Sequence, residues 1–181
     1  MVNISLILFA ESEAVYTDGG VLAEFSWLLV VLPFFAALLI TFFGKYLPMK
    51  GAEVALLTIG SIFIYSVLLM YLHITQGIAN EFFVNVGSIG QFDIEFGWVV
   101  DGLSIMMYFV VGTVALLVFI YATNYMQGEI RYTFFFTSLT LFAGSMLVLV
   151  SSPTLIQILI GWELVGVCSY LLIGHSWEKK E

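Results

Sequence analysis

Five long runs of uncharged, mostly apolar residues follow one another along the chain, at 25–43, 54–72, 102–125, 132–152 and 154–174, and only the last is interrupted by a charge. A bilayer core about 30 Å thick takes about 20 such residues in a helix, so each run predicts a membrane span. We place the spans at residues 25–46, 53–75, 101–125, 132–152 and 154–174. The breaks between them carry turn residues: Gly44, Pro48 and Gly51, then Gly128, then Pro153, which disfavours helix at Ser152 before it. Pro33 lies inside the first run, where its missing N–H and its ring predict a kink. Ser152 and Pro153 alone join the last two spans, and so short a link forces an antiparallel pair. No internal repeat is visible.

Residues 76–100, between the second and third spans, follow a different rule. Phe92, Ile94, Phe96 and Trp98 alternate with Gln91, Asp93, Glu95 and Gly97, and a period of two predicts a strand. Residues 82–86 supply a partner strand and residues 87–90 a turn between them. Two strands alone are marginal, so this hairpin needs a surface to pack on.

Composition agrees with the pattern. The chain is 61% hydrophobic and only 10% charged, against about a quarter charged in soluble proteins. Its mean hydropathy is +1.07. A Gly-rich phosphate loop, paired histidines for haem and a Ser/His/Asp set are all missing from the sequence, so cofactor-binding and metal sites are not expected and soluble-type enzymology has nothing to build on. Cys168 is the single cysteine, which excludes disulfides within the chain and cysteine-rich metal sites.

The formal net charge of −8 matters less than its distribution. With five spans, every base falls in a loop on one side: Lys45 and Lys50, Arg131, Lys179 and Lys180. The opposite side holds Glu11, Glu13, Asp18, Glu24, Glu81, Asp93, Glu95 and Asp101. By the positive-inside rule the amino terminus is outside and the carboxyl terminus, residues 175–181, cytoplasmic. The expected location is a bacterial plasma membrane in preference to an organellar inner membrane, with the lipid bilayer as partner and no nucleic acid. Residues 1–24 begin with an apolar stretch that lacks a preceding base and is followed by Glu11 and Glu13, which is the wrong charge order for a secretory leader. They read as a retained outer segment.

The one charge inside an apolar run is Glu163. An ionised group at mid-bilayer costs about 2.5–3.5 kcal/mol on insertion scales. The apolar residues around it still allow insertion, at about −0.3 to −0.6 kcal/mol for each Leu, Ile or Val. Desolvation favours the protonated form of a carboxylate, so such a group can load and release a proton near neutral pH. At about 100° per residue Glu163 shares a face with Gly166, Tyr170 and Gly174, a stripe that suits helix contact rather than lipid. Tyr170 is a candidate hydrogen-bonding group on that face. The plain alternative is that Glu163 only hydrogen-bonds a neighbouring helix. No Lys, Arg or His lies within another of the apolar runs, since His73 and His175 stand at span ends, so a partner charge must come from outside these runs.

The other polar residues have simpler readings. His73 and His175 read as interfacial side chains, with proton uptake from the cytoplasmic side as a second role for His175. Asp101 before Gly102 reads as a helix cap. Glu129 and Arg131 are close enough to pair at the surface, a contact of little value. Cys168 reads as a small packing residue. Trp27, Trp98 and Trp177 fit interfacial belts.

The residues around Glu163 carry a resemblance. Gly161-Trp162-Glu163-Leu164-Val165-Gly166, followed by Ser169-Tyr170-Leu171-Leu172-Ile173-Gly174, closely resembles the antiporter-like L subunit of bacterial respiratory complex I, the chain 5 family. Asp101-Gly102-Leu103-Ser104 at the third span is similar to that family too. So is the stretch 121–128, with Arg131, Phe134 and Phe135 after it. The likeness is strong over residues 101–180.

The resemblance implies an all-α transmembrane fold, five helices of a larger antiporter-like bundle with an outer-face hairpin. It implies a subunit of an NADH-quinone oxidoreductase that couples quinone reduction to proton pumping and itself carries no redox centre. Glu163 takes the position of that family's proton-relay glutamate, which pairs with a lysine on a later helix. The implied partners are other complex I membrane subunits and a chain supplying the remaining helices and that lysine. Related folds in sodium/proton antiporters and membrane-bound hydrogenases share the motif. A structural or assembly membrane protein is the reading from a different class. Family members run on through many more helices, so this sequence reads as the amino-terminal part, split or truncated.

Overall fold

A computed structural model describes residues 25–89 and 92–176. The expected outer segment 1–24 and the tail with Lys179 and Lys180 lie outside the described residues. In chain order the elements are α1 (Trp27–Phe43), α2 (Ala52–Gln76), β1 (Asn80–Ile89), β2 (Phe92–Val100), α3 (Gly102–Tyr125), α4 (Tyr132–Ser151) and α5 (Leu155–Ile173), with single 3-10 turns at Gly44–Tyr46 and Gly174–Ser176. All five helices are long and apolar enough to cross a membrane.

The breaks have local causes. Lys50 at φ +51° and Gly51 at φ +96° turn the chain into α2, and Gly77 at φ +64° ends it, donating its N–H to the His73 carbonyl at 2.9 Å. Asp101 caps α3 as expected, its Oδ1 accepting from the Ser104 N–H at 2.7 Å. Thr154 caps α5 in the same way, its hydroxyl accepting from the Gln157 N–H at 3.4 Å. Helix α1 continues through Pro33, which is buried and turned toward α4.

Helix α4 is the centre of the bundle. It lies between α1 and α5 and also meets α3, while α2 pairs with α3 and touches α1. Its central window is 44% buried and that of α5 only 17%, so α5 is the edge helix. Lipid tails are as apolar as leucine, so apolar area alone does not hold such helices together and close packing must. Glycine provides it at each of the three main seams. A Cβ on Gly144 of α4 would stand 3.0 Å from that of Pro33, one on Gly112 of α3 would be 3.3 Å from the Phe63 Cα of α2, and one on Gly161 of α5 would be 3.0 Å from the Leu149 backbone of α4. Around these points Ile40, Ile59, Ile62, Tyr108, Phe119 and Phe136 form the buried core. Two buried hydroxyls of α4 turn back onto its own backbone: Thr140 donates to the Phe136 carbonyl at 2.7 Å and Ser145 to Leu141 at 2.8 Å.

The hairpin forms as the alternation predicts, but its turn moves. The ladder runs from Asn80↔Val100 to Ile89↔Phe92, with a register shift between Asn85 and Gly87. Gly87 was expected to open the turn. It instead stays in the strand, paired with Ile94 just past a register shift that skips Val86, and the strand continues to Ile89. The connection is therefore residues 90–91, outside the described residues. Phe82 and Trp98 face each other across the ladder, their rings stacked at 4.5 Å.

The loops sort into two ends. The α1–α2 loop meets the start of α4, where the Thr133 hydroxyl donates to the Lys50 carbonyl at 3.1 Å. The hairpin meets the other end of α4. Lys45, Lys50 and Arg131 therefore share the end away from the hairpin. Removing the α3 cap tests one link of this frame. Asp101→Ala should cost about 1 kcal/mol and Asp101→Asn much less, measured as thermal unfolding of the assembled protein in detergent.

Candidate functional site: a carboxylate on an uncovered helix face

Helix α5 is set against the bundle by one stripe of its surface. Gln157, Gly161 and Cys168 are buried, and Leu164 and Leu171 between and after them are half-buried. Their spacing of four, three, four and three residues is the seam of a helix packed alongside another. Cys168 is a packing residue, its Sγ 3.8 Å from the Ser145 Oγ of α4.

The first turn of α5 is held by polar contacts at the hairpin. The Gln157 amide grips a single residue of β2: its Oε1 accepts from the Gly97 N–H at 2.9 Å and its Nε2 donates to the Gly97 carbonyl at 2.8 Å. The Thr154 hydroxyl donates to the Glu95 carbonyl at 3.3 Å. Gly97 is buried, and a Cβ there would collide with the Phe82 carbonyl oxygen and approach the Pro153 ring at 3.2 Å. From the other side the Tyr108 hydroxyl of α3 donates to the Val99 carbonyl at 3.1 Å. These contacts supply the surface that a two-stranded hairpin needs.

Glu163 points elsewhere. It is exposed, about 120° around α5 from Gln157 at 100° per residue. Gly166 has nothing within 4 Å of its built Cβ, and Tyr170 is 76% exposed. The stripe read from sequence as a helix-contact face thus meets none of the other described helices. Contact within the chain uses Gly161 instead of Gly166. Tyr170 shares the face of Glu163 but lies about 10 Å further along the axis, too far for a direct hydrogen bond. His175 sits in the 3-10 turn at the far end of α5, half-buried, its ring against Phe135 at 5.4 Å. It is about 18 Å along the axis from Glu163, so the two do not touch.

His73 turns out to be a joint between elements. Its Nδ1 donates to the Ile78 carbonyl at 2.7 Å, and its ring lies against the start of α3, where a Cβ on Gly102 would stand 2.9 Å from Nε2. The residue that sequence reading missed is Gln157. Its signal was available: it is a large amide inside an uncharged span, and a buried amide must find both a donor and an acceptor. Among the described residues no three His, Cys, Asp or Glu side chains gather as a metal site.

Residues 87–136 match the family described as NADH-Ubiquinone oxidoreductase (complex I), chain 5 N-terminus. Over 165 residues the chain is 40% identical to the NAD(P)H-quinone oxidoreductase subunit 5 of the Paulinella chromatophora chromatophore, covering 87% of this chain and 25% of that protein. It is 39% identical over 168 residues to the NAD(P)H-quinone oxidoreductase chain 5 of Synechocystis sp., covering 88% of this chain and 24% of that one. To the chloroplastic subunit 5 of Chlorokybus atmophyticus it is 35% identical over 163 residues, covering 86% and 25%. The chain thus spans about a quarter of the length of these relatives.

Two glycine substitutions separate the two faces of α5. Gly161→Leu should push α5 off α4 and lower the yield of folded protein. Gly166→Leu should leave the five-helix fold intact yet reduce incorporation into a larger complex, read by native gel electrophoresis of solubilised membranes.

Proposed function

We propose that this multi-pass membrane chain, similar along most of its length to complex I chain 5, serves as the amino-terminal part of a proton-translocating subunit of an NAD(P)H-quinone oxidoreductase. In this reading Glu163 carries the proton. The observation that supports it most is the placement of that carboxylate, midway along a membrane-spanning helix whose opposite face is docked and whose own face is left open by the other described helices.

A lone carboxylate in hydrocarbon is costly, so the open face calls for cover by helices beyond these five. The resemblance supplies their character: one of them carries a lysine. An ammonium group near the carboxylate favours its charged form, and withdrawal of that group favours proton uptake. Alternation between the two would load the proton and then release it. Quinone reduction elsewhere in the complex supplies the driving force, and this chain contributes no redox group. Tyr170 and Gly166 on the same face leave room for a hydrogen-bonded water path, with His175 at the basic end of the bundle as a point of uptake. By the positive-inside rule the basic loops support a cytoplasmic side for that end and an outer side for the hairpin.

The test is Glu163→Gln, which keeps size and hydrogen bonding but cannot cycle a proton. In the complete complex it should assemble at normal yield and reduce quinone, while the protons moved per electron fall. Unchanged pumping in that variant would overturn the assignment. Loss of assembly instead of pumping would make Glu163 a structural contact.

A further inference from the structure

The way α5 is anchored bears on where Glu163 points. Close packing of Gly161 on the Leu149 backbone limits how far α5 can turn against α4. Directional hydrogen bonds narrow that range further. On α5 the only side chain that bonds to another element at both a donor and an acceptor, among the described residues, is Gln157, which holds the N–H and the carbonyl of Gly97 at 2.9 and 2.8 Å. Gln157 is buried, Gly97 is buried, and Thr154 adds a bond to the neighbouring Glu95 carbonyl. The hairpin strand is thereby joined to the helix at a fixed rotation.

We infer that Gln157 is a positioning residue for Glu163: its bridge to Gly97 sets the rotation of α5 that turns the carboxylate to the open face. This inference rests on the relay role proposed for Glu163. Glu163 lies six residues on, about 9 Å along the axis, so Gln157 acts on it only through the helix. A rotation of one residue position, about 100°, would carry Glu163 away from the open face and would also take Gln157 off Gly97. The two placements are coupled. The chemistry of the bridge is demanding, since one planar group of this length must offer a donor and an acceptor side by side. Glutamine does so. A neutral glutamic acid does so through its O–H, and a glutamate anion, with acceptors only, does not.

That difference gives the test. Gln157→Leu, Gln157→Glu and Glu163→Gln are compared in the complete complex in sealed membrane vesicles, reading quinone reduction and protons moved per electron, with the pH on the hairpin side varied. Glu95 and Asp101 are common to all variants and to the parent, so their own titration cancels in the comparison. Gln157→Leu should assemble and reduce quinone with a loss of protons per electron. Gln157→Glu should recover toward the parent ratio as pH falls and lose it as pH rises, a dependence absent from Gln157→Leu. A parent ratio in assembled Gln157→Leu, or a Gln157→Glu ratio that follows the parent at every pH, overturns the inference. Should Gln157→Leu fail to assemble, the pH course of Gln157→Glu decides alone. Parent-like pumping by Glu163→Gln would defeat the relay itself, whereas impaired Glu163→Gln beside intact Gln157 variants defeats only the positioning role.

Discussion

The structure depends on close backbone approach in a medium where burying apolar surface is worth little. In water a helix gains stability by covering its apolar stripe. In hydrocarbon it must gain from packing and from hydrogen bonds that lipid cannot replace. Gly144, Gly112 and Gly161 give three of the helix pairs their contact, each by letting a neighbour approach to within about a methyl group of the backbone. Two buried hydroxyls of α4 turn back onto its own carbonyls.

The hairpin extends this logic to the end of the bundle. A two-stranded ribbon would be unstable alone, but here Tyr108 from α3 and Gln157 and Thr154 from α5 each take a backbone group of β2. The same contacts give α5 a fixed place at the edge. The ribbon and the edge helix thus stabilise each other, and neither has a full set of partners without the other.

Among the described residues one face of α5 is left open, and that face carries the acid. The two faces of the helix are distinct: Gly161 and Cys168 face the bundle, Glu163 and Tyr170 face away. This separation leaves the carboxylate free of the contacts that anchor its own helix. The chain spans about a quarter of the length of the chain 5 relatives it resembles.

Much of this was legible along the chain. Length and apolar runs determine the five spans, because a bilayer of fixed thickness admits few other solutions. Period two determines the strand at 92–98, Asp101 announces its cap, and a two-residue link makes α4 and α5 an antiparallel pair. Glu163 stands out along the chain as the one charge in the apolar runs. What tertiary structure alone decided is which glycine meets a helix and which amide meets a strand. Gly161 and Gly166 are equivalent as sequence, as both are small residues in one apolar run, and only the position of α4 makes one a contact and the other open. Gly87 looked like a turn because glycine permits turns, and the register of the whole ladder kept it in the strand. Local chemistry sets what each residue can do, and the rotation of a helix among its neighbours, a sum over many distant contacts, sets which of those things it does.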